Sequence, residues 1–249
     1  MATSKKVTKV NTGESTNTSS NQPWQPTESA QSKATQVRIF AVITFVIAIA
    51  LEVFAIFKLK ENPVNMTWLI GLIVGTLIFA VTGSILWKKA NRIDPASEKN
   101  KFKFFVQNQL GMIIAVIAFV PLIILIITNK NMTGKQKGIA GGIAGVALVI
   151  AGLVGTDFNP PSVEQYTEQT QQVENLIGTN NVYWTPSGKS YHLYDDCGYI
   201  NGKRTKEIFQ GTVADARQLK NITDICDRCQ NRATKEKGLL EEVTEVATE

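Results

Sequence analysis

Four long apolar runs between residues 39 and 155 constrain the fold of this chain more than any other feature. A chain of 249 residues cannot bury four such runs in the core of one soluble domain. Each run has about the 17–25 residues with which an α-helix crosses a hydrocarbon core of about 30 Å. Because backbone groups in lipid must be paired within their own segment, the runs should be helical. The sequence therefore predicts a membrane protein with four transmembrane helices, over about 39–57, 66–87, 105–127 and 138–155.

Outside these runs, the composition divides the chain into an N-terminal tail, a linker, a module and a C-terminal tail. Residues 1–36 include 20 Ser, Thr, Asn or Gln, which is typical of a disordered tail. After the membrane domain over 37–156, residues 157–181 form an acidic linker with four acids and no base. Residues 182–237 form a compact module, and 238–249 an acidic tail. The predicted fold class is an all-α membrane bundle of four transmembrane helices, followed by a small α+β C-terminal domain.

Lysine and arginine residues near the ends of the runs predict the orientation in the bilayer. With the N-terminus inside, the inner side carries eight of them, Lys33, Arg38, Lys88, Lys89, Arg92, Lys99, Lys101 and Lys103, and the outer side five, Lys58, Lys60, Lys130, Lys135 and Lys137. This excess predicts that the N-terminus is cytoplasmic in a cell membrane and that four crossings return the C-terminus to the same side. A fourth run that did not cross would place the C-terminal module outside.

Several residues inside the runs depart from a plain apolar helix. Glu52 is an acid in the first run. We favour the interpretation that it faces the bundle or reaches an interface; the alternative is that it marks an ion or proton path. Pro121 predicts a kink in the third helix. Small-xxx-small pairs predict close packing within the bundle, with a homo-oligomer through these glycine-rich helices as the alternative. The pairs are Gly71 with Gly75, Gly138 with Gly142, and Gly141 with Gly145.

The only histidine and all three cysteines fall within 38 residues near the C-terminus. They are arranged as His192-x4-Cys197, a gap of 28 residues, and Cys226-x2-Cys229. Two short loops that each supply a pair of nitrogen or sulfur ligands are typical of a tetrahedral zinc site, and four protein ligands leave no open position for water. The spacing predicts a structural Zn²⁺ site. A disulfide or redox pair of Cys226 with Cys229, or unliganded residues, are the alternatives.

The segments around these residues have the composition of a small α+β fold. Val182–Trp184 predicts a strand, residues 185–188 a turn and 189–192 a returning strand. Thr212 is a suitable cap for a helix over 213–220. A final helix should begin near the second cysteine pair and reach Lys237.

A family resemblance rests on these same residues. The run VYWTPSGKSYH over 182–192, with Cys197 and the later Cys226-Asp-Arg-Cys229, resembles the Ada-like metal-binding module, a small bacterial domain that is attached to membrane proteins and to some nucleases. The whole layout is similar to that of four-span membrane proteins of Gram-positive bacteria. The resemblance implies that His192, Cys197, Cys226 and Cys229 coordinate zinc. It does not imply alkyl transfer, because no further cysteine remains as a methyl acceptor.

A closed metal site on a membrane-tethered module predicts a non-enzymatic protein that binds a cytoplasmic protein partner or acts as a sensor. No Ser-His-Asp set or phosphate loop is visible in the sequence, so we do not expect an enzyme. One alternative is nucleic-acid binding by the module, whose net charge is only +3. It would use Lys203, Arg204, Lys206, Arg228, Arg232 and Lys235, with stacking on Tyr191, Tyr194 and Tyr199. A small channel or transporter, based on Glu52 and the fourth run, is the other alternative.

Overall fold

The structure is a computed structural model and describes residues 6–10 and 23–246. Backbone contacts group these residues into two compact units. One unit spans residues 31–160. The other combines the described residues up to Ala30 with those from Pro161 onward.

Long apolar helices form the unit over 31–160. Among the described residues, four helices are long and apolar enough to cross a membrane, which confirms the four predicted runs. They are α1 (Glu28–Lys58), α2 (Met66–Ile93), α3 (Lys101–Thr128) and α4 (Gly134–Gly155). Polar caps fix where the later helices begin: Asn65 accepts the Thr67 and Trp68 backbone N–H groups, and Thr133 forms a capping box with Gln136. Pro121 lies inside α3, which is helical on both sides of it.

Small residues of α4 line the core of this bundle. Ala140, Ala144, Ala147 and Ala151 recur every three to four residues and are all buried. They pack in one cluster with larger side chains of α2 and α3, among them Ile73, Phe119, Leu122 and Ile126. Large apolar side chains on the opposite faces, such as Val149 and Leu153, are exposed. An apolar exterior of this kind is the surface that lipid covers in a membrane.

The close contact between α3 and α4 uses different glycines from those predicted. A Cβ atom added to Gly155 would lie 2.5 Å from the backbone carbonyl carbon of Gly111, so only glycines allow this approach. Nothing lies within 4 Å of a Cβ added to Gly138, Gly142 or Gly145. A Cβ added to Gly141 would lie 3.8 Å from the Ile126 side chain, an ordinary contact. The predicted close packing is therefore wrong for Gly138, Gly142 and Gly145, because the alanines of α4 occupy its inner face.

The second unit is an α+β fold with two small sheets. Its elements are β1 (Lys6–Lys9), α5 (Val163–Ile177), β2 (Val182–Trp184), β3 (Ser190–Tyr191), β4 (Glu207–Gly211), α6 (Val213–Lys220), β5 (Asp224–Ile225) and α7 (Asp227–Val246). One sheet has the order β1-β4-β2, with β1 parallel and β2 antiparallel to β4. The other pairs β3 with β5 in parallel. Val182, Trp184, Tyr191, Ile208 and Ile222 form the centre of its core.

Local predictions in this unit agree with the structure. The strand Val182–Trp184 forms as predicted, and the helix over 213–220 is capped by Thr212, which shares a capping box with Asp215. The returning strand is only partly as predicted: His192 bridges to Tyr183, but β3 pairs with β5. The final helix continues past Lys237 to Val246, through the predicted acidic tail.

The structure differs from the predicted disordered tail over 1–36. Residues 6–9 form β1, and α1 begins at Glu28. Trp24 is buried and lies edge-to-face on Tyr166 of α5, with ring centroids 4.6 Å apart. A polar composition predicted disorder because these contacts are made with residues more than 140 positions away in sequence. Residues 1–5 and 11–22 of the predicted tail lie outside the described residues.

The predicted acidic linker over 157–181 also has a different structure. Most of it is α5, an amphipathic helix whose Tyr166 and Val173 are fully buried. Val173 packs against the core of the second unit. The module therefore begins near Pro161 rather than at Val182.

Candidate metal centre

The four predicted ligands lie together in the second unit. One ligand atom from each of His192, Cys197, Cys226 and Cys229 can be chosen so that all four lie within 4.8 Å of one another. All four residues are buried. The structure thus brings together every residue that the sequence singled out as a metal ligand.

Strand pairing positions one ligand from each loop. The backbone N–H of His192 donates to the Tyr183 carbonyl at 2.7 Å, and the Tyr183 N–H donates back to the His192 carbonyl at 2.8 Å. The Cys226 N–H donates to the Tyr191 carbonyl at 2.9 Å, next to the β3–β5 pair. His192 and Cys226 are therefore held side by side by the backbone.

Tight turns position the other two ligands. The Cys197 carbonyl accepts hydrogen bonds from the N–H groups of Ile200 and Asn201, at 3.0 and 2.8 Å, which folds the chain into a turn at this cysteine. Cys229 lies in the first turn of α7, where the Gln230 N–H donates to the Cys226 carbonyl. Its Sγ lies 3.8 Å from Nδ1 of His192.

The distances and donor types fit a tetrahedral zinc ion. Ligand atoms about 2.3 Å from a tetrahedral ion lie about 3.8 Å from one another, which matches a cluster within 4.8 Å. Three sulfurs and one imidazole nitrogen are donors that suit zinc better than magnesium or calcium. The three cysteines are free thiols in the structure, not a disulfide pair. The cluster could bind a metal ion.

Burial makes charge on these ligands unfavourable unless a cation is present. Desolvation raises the pKa of the Cys229 thiol to about 12 and lowers the pKa of His192. Without a metal, the Cys229 thiol and the His192 imidazole therefore favour their neutral forms. A bound dication would compensate thiolate charge at this site, since metal binding and thiol deprotonation are coupled.

An ionic network beside the cluster connects α7 to the Cys197 turn. Arg232 donates to both carboxylate oxygens of Asp196, at 2.8 and 3.0 Å, and to Glu236 at 2.9 Å. Its guanidinium lies 4.0 Å from the ring centroid of Tyr194, whose hydroxyl donates to Glu236 at 2.6 Å. These bonds lower the pKa of Glu236 and, with desolvation, raise that of Tyr194 to about 12. Sequence reasoning missed Asp196 and Glu236, although Arg232 and Glu236 have the spacing of a helical ion pair.

The aromatic residues proposed for stacking on nucleic acid do not form a common surface. Tyr191 is only 1% exposed, and Tyr194 is covered by the Arg232 guanidinium. Tyr199 alone among the three is well exposed, at 71%. The three tyrosines therefore do not form the stacking platform that single-stranded nucleic acid requires.

A cleft of about 540 Å³ lies between Tyr199 and the first turns of α7. Arg228, Asn231 and Lys235 line it at the spacing of one helix face, and Asp227 and Glu236 add two carboxylates. Arg228 lies close over the backbone of Gly198, where an added Cβ would come within 3.2 Å of its guanidinium. Among the described residues, neither Arg228 nor Lys235 forms a salt bridge.

No protein-family model, no curated protein and no solved structure matches this chain. The resemblance to the Ada-like module therefore stays an expectation. The structure itself combines four helices that are long and apolar enough to span a membrane with a buried His/Cys cluster that could bind a metal ion.

Proposed function

We propose that this chain is a non-enzymatic, multi-pass membrane protein that presents a structural zinc module to a cytoplasmic protein partner. The observation that carries the proposal is the buried cluster of three cysteines and one histidine. Four protein ligands close a tetrahedral shell and leave no position for a substrate or a reactive water. Zinc would then stabilise the fold, and the surface of the module would supply the function.

The segment that holds the cluster, residues 182–237, is short enough that a bound metal would add to its stability. The core around the cysteines draws its side chains from short strands, loops and the three helices α5, α6 and α7. Domains of this size bury little apolar surface and often depend on a metal or a disulfide. Free thiols favour the metal, and they also favour a reducing compartment such as the cytoplasm.

The cleft beside the metal cluster supports a protein partner rather than a nucleic acid. Arg228 and Lys235 offer positive charge, and Tyr199 offers an exposed ring, as protein interfaces often do. Asp227 and Glu236 line the same cleft and would repel a phosphate backbone. This mixture of charges fits a protein segment that combines acidic side chains with a basic or polar one.

The metal content of the purified full chain tests the first part of the proposal. We expect one zinc per chain by elemental mass spectrometry and a loss of most of it in Cys226→Ser. Asp227→Ser is the matched control, because Asp227 lies in the same turn, is exposed and is not in the cluster. A wild-type chain purified without chelators that contains no metal would contradict a zinc module.

Binding of a fluorescent Glu-rich peptide tests the second part, with an equally charged single-stranded DNA as comparison. Arg228→Ala and Lys235→Ala should each weaken peptide binding severalfold without lowering the zinc content. Lys203→Ala is the control, since Lys203 is exposed and does not line the cleft. Stronger binding of the DNA, with a steep salt dependence, would favour the nucleic-acid alternative instead.

A further inference from the structure

Glu52 is the only titratable side chain in the apolar runs over 39–57, 66–87, 105–127 and 138–155. It is only 4% exposed and lies on the buried face of α1. The other residues of that face are Ala41, Phe45, Ala48, Ala55 and Leu59. The carboxyl group therefore faces the helix bundle and not the lipid.

The Glu52 carboxyl group has no protein partner among the described residues, in hydrogen bonds or in ion pairs. The bases that follow it in α1 and the next turn are engaged elsewhere. Lys58 pairs with Glu61 at 2.6 Å, and Lys60 lies 5.3 Å from the ring centroid of Phe57. A negative charge at Glu52 is thus not compensated by a neighbouring residue.

A second polar group without a partner lies at the same level of the bundle. Thr76 of α2 is fully buried, and its hydroxyl has no hydrogen-bond partner among the described residues. A Cβ added to Gly75 would lie 3.3 Å from the Leu51 side chain, and one added to Gly83 would lie 2.6 Å from the Phe45 ring. The helices α1 and α2 therefore run antiparallel, which puts Glu52 level with Thr76.

Two hydroxyls further along α2 have the partner that Thr76 lacks. Ser84 donates to the Ala80 carbonyl at 2.8 Å, and Thr82 donates to the Ile78 carbonyl at 2.7 Å. This bond to the preceding turn is how a hydroxyl is normally satisfied in an apolar helix. The Thr76 hydroxyl and the Glu52 carboxyl group therefore both lack a hydrogen-bond partner among the described residues, at the same depth of the bundle.

Charge balance indicates which kind of ion the Glu52 carboxyl group and the Thr76 hydroxyl bind. A carboxylate in hydrocarbon is unfavourable unless it is neutralised, and one carboxylate neutralises one positive charge. Carboxyl and hydroxyl oxygens are hard donors that suit a proton or an alkali cation. We propose that Glu52 and Thr76 form an intramembrane site for a monovalent cation, either a proton or an alkali ion such as Na⁺. This site is separate from the metal module and from its proposed function.

Within the four apolar runs no other residue is charged. The buried Asp157 follows α4 at the opposite end of the bundle, where its backbone bonds the Gln109 side chain. The polar residues of α2 and α3 at the opposite end, Asn91, Gln107 and Asn108, are uncharged and bond to one another. The charged groups nearest in sequence are Lys58, Lys60 and Glu61, at the α1–α2 connection. Lys130 lies in the α3–α4 connection at the same end, where Asn129 donates to the Leu59 carbonyl.

Infrared spectroscopy of the full chain in liposomes at pH 7 tests the proposal. Ordinary carboxyl groups are ionised at this pH because their pKa values are near about 4, so a remaining carboxylic-acid band comes from a shielded group. In sodium-free choline buffer we expect this band in wild type and in Glu61→Gln, and its absence in Glu52→Gln. Loss of the band when Na⁺ replaces choline would identify an alkali-ion site, and an unchanged band a proton site. Absence of the band in wild type, with no Na⁺-induced change in the carboxylate bands, would overturn the proposal.

Two further measurements keep the test independent of the folding of Glu52→Gln. Dicyclohexylcarbodiimide adds to protonated carboxyl groups in apolar surroundings, and peptide mass spectrometry of labelled wild-type protein should place the adduct on Glu52. Thr76→Val preserves shape but removes the hydroxyl. It should raise the Na⁺ concentration for half effect severalfold or, at a proton site, shift the pH at which the acid band disappears. A Thr76→Val protein identical to wild type in both respects would overturn the two-residue site.

Discussion

Arg232 joins two of the segments that hold the candidate metal cluster, and we expect it to slow metal loss from the proposed zinc site. It bonds Asp196, next to Cys197, and Glu236, further along the helix that carries Cys229. Arg232→Lys keeps the charge but loses the simultaneous bonds to Asp196 and Glu236, which two different guanidinium nitrogens, Nη1 and Nε, donate. We expect unchanged zinc content but severalfold faster zinc loss to a chelator, measured by a colorimetric indicator on the full chain.

Arg228→Lys is the control for this prediction. Arg228 lies one helical turn earlier in α7, between the two cysteines, but it forms no salt bridge with the described residues. Its substitution should leave the rate of zinc loss close to that of wild type. Equal acceleration by both substitutions would mean that the network of Arg232 does not control the rate.

At the scale of helices, the Gly111–Gly155 contact should control how well α3 and α4 pack. A Cβ added to Gly155 would lie 2.5 Å from backbone atoms of Gly111 and Met112, which cannot move aside as a side chain can. Gly155→Ala should therefore destabilise the bundle by about 1–3 kcal/mol, the usual cost of overpacking. Gly142→Ala meets nothing within 4 Å and should be neutral. Thermal unfolding of both variants in detergent checks this, and equal stability of the two would contradict it.

The same elements show what the sequence could and could not predict. The four apolar helices, the Val182–Trp184 strand and the Thr212-capped helix follow from local composition, because their signals lie within the elements themselves. The pairing of β1 with β4 joins residues 6–9 to residues 207–210, and no local pattern encodes such a distant partner. The Gly111–Gly155 contact is also absent from any local pattern. Small residues are common in all these helices, and only the packing of the helices decides which of them touch.

At the scale of the whole molecule, the second unit determines how often the chain can cross the membrane. It is built from residues on both sides of the four apolar helices: β1 pairs with β4, and Val10 donates its N–H to the Gln210 carbonyl at 2.8 Å. A sheet that contains both flanks cannot be divided by a bilayer, so we expect an even number of crossings if the helices span one. This argument favours a fourth helix that crosses, and it is independent of the count of positive charges.

Tags at the two ends test this conclusion. We expect a protease added to inside-out membrane vesicles to remove an N-terminal and a C-terminal epitope tag together, and intact cells to protect both. A tag in the α1–α2 connection, beside Glu61, should show the opposite pattern. Tags on opposite sides in wild type would show that β1 and β4 of one chain do not pair in the membrane.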